Sequence, residues 1–138
     1  METIRKPLAV ILGLTALAVL IHFVLSPFYE DVIEGHDVWN ILNWFMSFGV
    51  IAVLVLTYLA KKDVGRASDT NTYIRVNVGF YVAAALAVLF FWNWFNELAV
   101  GGGSEGEVNG IYWVLIDVLY VILVTRVSMS LWSDSSSE

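Results

Sequence analysis

Seven of the polar side chains that interrupt otherwise apolar runs in this 138-residue sequence could do chemistry together: His22, Asn40, Asn43, Asn93, Asn96, Glu97 and Asp117. An imidazole with carboxylates and amides can bind a metal ion, because ring nitrogen and carboxylate oxygen suit Zn, Cu or Fe. A carboxylate beside a histidine can relay protons. The same groups, flanked by Trp residues, can also hold a quinone, a pigment or another lipid-like ligand. The plainer alternative is hydrogen bonding between helices, at roughly 0.6–2 kcal/mol per bond, which locks a bundle in register. The spacing fits no ligand motif. His22 and Asp117 are the weak candidates for metal ligation, no metal site is assigned, and no motif implies a cofactor. His36 falls in a polar connection and is read as a solvated surface residue.

Asp117 is the most informative of the seven. A lone carboxylate near the middle of a bilayer costs about 2.5–3.5 kcal/mol on insertion scales. It must therefore be protonated, be paired with His22 or an Asn, or face a partner subunit. Asp117→Asn is expected to preserve folding and to abolish any proton or metal coupling.

The elements that carry these residues follow from composition. The chain is 59% hydrophobic and 14% charged, with no cysteine and two prolines, whereas a soluble domain is about 45–50% apolar and about 25% charged. So small a chain cannot hide that much Leu, Val and Trp from water, so the excess faces lipid. A disulfide scaffold, a zinc-thiolate domain, cysteine catalysis and a disordered tail are excluded. A helix needs roughly 20 apolar residues to cross the hydrocarbon. Four such runs are present, at about residues 7–27, 38–60, 73–98 and 109–130, with a polar tail at 131–138. Pro7 and Pro27 bracket the first, and Gly101, Gly102, Gly103 and Ser104 form a break after the third. The expected fold is an all-α membrane protein, a single up-down bundle of four transmembrane helices. Counting about 1.5 Å per residue places all seven polar residues in one layer, in the half of the membrane away from the termini.

Topology follows from charge. All seven basic residues lie on one side of the spans, at Arg5, Lys6, Lys61, Lys62, Arg66, Arg75 and Arg126. The opposite side holds Glu30, Asp31, Glu34, Asp37, Glu97, Glu105 and Glu107 without a basic residue. Lys and Arg are retained on the cytoplasmic side, so both termini are expected there, in a bacterial inner membrane. The net charge of −6 then divides into an inner rim of about +2 and an outer rim of −7, with Asp117 between them. Nucleic-acid binding has no support, and the bilayer is the expected partner. The first run is expected to be retained, being longer than a signal-peptide core and followed by a poor cleavage context at Ser26 and Pro27.

Helices in lipid associate through small residues and hydrogen bonds. Gly79, Ala83 and Ala87 form a stripe at spacing four on the third span, and Ala9 and Gly13 a weaker pair on the first. Trp39, Trp44, Trp92, Trp94 and Trp113 fall at span ends and read as an interfacial belt. The repeated Asn-Trp-Phe at Asn43 and Asn93 has no common register in the two spans and is not a duplication.

No phosphate loop, HExxH, GxSxG elbow or membrane lysine for a Schiff base is present. In length and span count the chain resembles small multidrug exporters and fluoride channels, which are compact four-helix membrane proteins. The exporters' first-span glutamate and the channels' Gly-rich N-terminal motif are both missing, and no family is assigned. The expected role is that of a small accessory subunit, not itself catalytic. It would pack against the larger subunits of a respiratory or membrane-metal-oxygenase-like enzyme complex and stabilise them. The alternatives are a homo-oligomeric transporter or channel using a His22/Asn43/Asn93/Asp117 layer, and a metal- or redox-ligand-binding membrane protein.

Overall fold

The computed structural model describes residues 2–29, 35–64, 69–100 and 107–134. They form four helices: α1 (Glu2–Tyr29), α2 (Gly35–Asp63), α3 (Thr70–Val100) and α4 (Glu107–Asp134). Each is long and apolar enough to cross a membrane, so the chain is an integral multi-pass membrane protein. Helix is the form lipid demands, since it satisfies every backbone N–H and C=O within its own segment. Glu30, Asp31, Glu34, Arg66, Glu105 and the Gly101–Gly103 break lie outside the described residues.

The helices overrun the expected spans, for local reasons. Pro7 and Pro27 sit inside α1 and not at its limits. Pro27 has no N–H for the Phe23 carbonyl, and Ser26 Oγ reaches that carbonyl at 3.5 Å instead. α3 starts at Thr70 because Asp69 caps it. Asp69 Oδ1 accepts from the amides of Asn71 and Thr72 at 2.8 and 3.1 Å, and Oδ2 accepts from Thr72 Oγ1 at 2.5 Å. The Thr72 hydroxyl, then its amide, the Asn71 amide and the charge of Arg75, hold the Asp69 carboxyl below its ordinary pKa of 3.8. α4 runs on through residues 131–134, so the first half of the expected polar tail is helical; Leu131 and Trp132 carry no helix-breaking signal.

Two compact units divide the chain, Met1–Gly49 with Asp117–Glu138, and Val50–Ile116. In the first, α1 buries Ala9, Leu12, Ala16, Val19 and His22, a seam at three- and four-residue spacing. The start of α2 adds Asn43 and Met46, and α4 adds Asp117, Tyr120, Leu123 and Val124. α1 and α4 run antiparallel there: Ser128 Oγ donates to the Ala9 carbonyl at 2.7 Å, and Tyr120 Oη donates to Thr15 Oγ1 at 3.2 Å. Close approach is made at glycine. A Cβ on Gly13 would lie 3.0 Å from Ser128 Oγ, and one on Gly49 would collide with Tyr120 Oη.

The second unit is filled by Val50, Val53, Ala83, Leu86, Ala87, Phe90, Trp94 and Ile116. Phe90 meets Trp94 and the edge of Trp113, at centroid distances of 5.6 and 6.2 Å. Trp94 is thus a core residue and not part of an interfacial belt, whereas Trp44 and Trp92 are exposed as a belt requires. At the end of α2, the Lys61 ammonium sits 4.3 Å from the centroids of both Phe80 and Tyr81. Ala83 and Ala87 are buried, but a Cβ on Gly79 would meet nothing within 4 Å.

Candidate functional site

Three buried polar side chains belong to the first unit: His22 on α1, Asn43 on α2 and Asp117 on α4, with relative exposures of 4, 2 and 3%. Helix register orders them along the helix axes. The Tyr120–Thr15 hydrogen bond, with Gly49 against the tyrosine ring, marks one level. Asp117 lies one turn from Tyr120, toward the α1–α2 connection. His22 is seven residues from Thr15, about 10 Å, and Asn43 is six from Gly49, about 9 Å, in the same direction. The His22 ring and the Trp39 indole meet edge to face at 4.4 Å between centroids. Trp39 precedes Asn43 by one helical turn on the same face, so the imidazole and the Asn43 amide occupy neighbouring levels, with Asp117 between them and the Tyr120 plug.

His22 Nδ1 is hydrogen-bonded with the phenol of Tyr29, in the last turn of α1. Asn43 Oδ1 and Asp117 Oδ1 are buried without a hydrogen-bond partner. Buried polar atoms are nearly always paired, so these two acceptors are the strongest chemical signal among the described residues. Both need a donor or a positive charge. Asn40, one turn before Trp44 and three residues before Asn43, is half-buried.

The other expected site residues belong to the Val50–Ile116 unit. Asn93 is half-buried and donates from Nδ2 to the carbonyl of Leu89 on its own helix at 2.7 Å. Asn96 is exposed and Glu97 half-buried on the same helix. In the first unit Ser47, four residues after Asn43, donates to the Trp44 carbonyl of its own helix at 2.7 Å. No group of three or more His, Cys, Asp or Glu able to hold a metal occurs among the described residues.

Sequence reasoning passed over Thr15, Tyr29, Gly49 and Tyr120. A Tyr three residues after an intramembrane Asp, and a mid-span Gly opposite it, were the available signals. Gly49 carries meaning only once its neighbour is known. Compared with family models, curated proteins and solved structures, the chain matches none.

Proposed function

We propose that the chain is a small accessory subunit of a membrane enzyme complex, respiratory or membrane-metal-oxygenase-like. In this reading it is an up-down four-helix bundle in a bacterial inner membrane with both termini cytoplasmic, and it stabilises larger catalytic subunits. The observation that carries the reading is how little of each span the chain covers for itself: 22–28% of each apolar window is buried. Phe28, Val88, Trp92 and Ile111 are among the large side chains left outward, each at least 70% exposed. Lipid or partner helices must cover these faces, and in lipid, van der Waals packing between helices is what association rests on.

A second reading, a homo-oligomeric transporter or channel, is favoured by the unpartnered oxygens of Asn43 and Asp117. In that case intramembrane polar groups mark a path. Gentle detergent extraction of the natural host membrane followed by native mass spectrometry separates the two. Co-elution with larger, different chains is expected; copies of this chain alone transfer support to the second reading, and a stable isolated monomer overturns the subunit role.

A further inference from the structure

Asp117 is 3% exposed, and its Oδ1 has no hydrogen-bond partner. Asn43 Oδ1, in the same unit, is equally enclosed and equally unserved. Both orphan atoms are acceptor oxygens, so whatever completes them brings a proton or a positive charge. A buried carboxylate without a counter-charge is too costly to persist, and among the described residues no Lys or Arg side chain is buried beside it.

The two directions away from Asp117 differ in kind. Toward the chain termini the way is closed. Tyr120 is fully buried, its hydroxyl is bonded to Thr15, and its ring fills the space over Gly49. Beyond it come Leu12, Leu123, Val124 and Ala9, all buried and apolar. Toward the α1–α2 connection the buried groups can carry protons. The His22 imidazole is hydrogen-bonded with Tyr29, which is half-buried in the final turn of α1. His22 on α1 and Tyr120 on α4 are the titratable groups buried with Asp117 in this unit, and α2 contributes the uncharged Asn43.

We propose that Asp117 is a reversible proton-binding site, loaded and emptied through Tyr29 and His22 from the α1–α2 end and sealed by Tyr120 on the other. The balance is simple. A proton from water at the helix end binds one imidazole nitrogen, the other ring nitrogen releases its own, and the Asp117 carboxylate becomes a carboxylic acid. Asn43 Oδ1 holds the water that passes the proton across the intervening turn. One O–H bond forms at Asp117, one breaks at hydronium, and no oxidant or further reactant takes part. The site does not depend on whether the chain acts alone or as a subunit.

The test uses the full chain in lipid vesicles. Dicyclohexylcarbodiimide adds to a protonated carboxyl in an apolar setting and leaves a stable N-acylurea that peptide mass spectrometry can place. Wild-type protein is expected to label at Asp117, more slowly as pH rises, and the exposed Asp69 is not expected to label. This arm needs no variant. Sodium at constant pH is expected to leave the labelling unchanged. In infrared pH-jump measurements the protonated-carboxyl C=O band is expected to vanish in Asp117→Asn and to form at least about ten-fold more slowly in His22→Phe, with Gly79→Ala, in the other unit, unaltered. Absence of labelling at Asp117, protection by sodium, or an unchanged rate in a folded His22→Phe protein would each overturn the proposal. Failure of co-elution with other subunits bears on none of these readouts.

Discussion

The two units of this chain solve the same problem with different chemistry. In the Met1–Gly49 and Asp117–Glu138 unit, α1 and α4 are joined by hydroxyl bonds, from Tyr120 to Thr15 and from Ser128 to the Ala9 carbonyl, and Gly13 and Gly49 are closely approached. In the Val50–Ile116 unit the described buried residues are aliphatic or aromatic, Asn93 bonds to its own helix, and Gly79 and Gly110 have open space where a Cβ would go. In their buried interiors one unit is held by polar bonds and backbone proximity, the other by ring packing; the polar bond between α2 and α3 in the second, from Lys61 Nζ to Tyr81 Oη at 3.2 Å, is exposed. Since lipid supplies no hydrophobic drive between helices, the first kind of contact specifies register and the second tolerates adjustment. Buried polar groups, and with them the candidate site, belong to the unit that can hold a geometry.

The largest break in that comparison comes from one methyl group placed in each unit. Gly49→Ala must displace the Tyr120 ring, whose Cε2 and Cζ would lie 3.0 Å from the new carbon. Overpacking of this kind costs about 1–3 kcal/mol, read as a fall in thermal unfolding temperature in detergent. Gly79→Ala is expected to leave that temperature unchanged or slightly raised, because the space is open and alanine favours helix. Tyr120→Leu, by removing the ring, should restore Gly49→Ala to the level of Tyr120→Leu alone. Equal losses at Gly49 and Gly79 would erase the distinction between the units.

The four spans were legible because their length and composition admit one reading, and the depth of each polar residue could be counted along a helix. Which face it occupies could not. A lipid-exposed helix is apolar on the outside as well as the inside, so the amphipathic period that marks a core face in water is nearly absent. Asn43 and Asn93 therefore looked alike, each beginning the same Asn-Trp-Phe triplet, yet the first is buried with an unserved oxygen and the second serves its own Leu89 carbonyl. Trp94 and Trp92 were equally indistinguishable, and only one of them is core. The start of α3 was legible in principle, since an Asp three residues before a Thr is a cap signal; it lies in the polar stretch ahead of the apolar run.

A smaller effect separates bonds between helices from bonds within one. Tyr120→Phe keeps the ring and loses the 3.2 Å bond to Thr15, which should lower stability by about 0.6–1.7 kcal/mol, the range for interhelical bonds in membranes. Asn93→Leu removes a bond to a carbonyl that its own helix already occupies, and no measurable change in unfolding is expected. A larger loss from Asn93→Leu than from Tyr120→Phe would show that the aromatic unit also relies on polar contacts.

The smallest effect lies at the water-exposed start of α3, where the second unit has its charged cap. The Asp69 carboxyl is held below its ordinary pKa, first by the Thr72 hydroxyl and then by the Thr72 amide. A group whose pKa is depressed on folding contributes stability that is present above its unfolded value and is lost as pH falls through the folded one. Asn at this position caps the helix without titrating. The unfolding temperature of the native chain should therefore fall slightly more than that of Asp69→Asn as pH is lowered below about 4, while the two differ little at neutral pH. Superimposable acid profiles would mean that the cap orders the first turn of α3 without contributing to the stability of the Val50–Ile116 unit, leaving ring packing and the Lys61 contacts with Phe80 and Tyr81 to support that end.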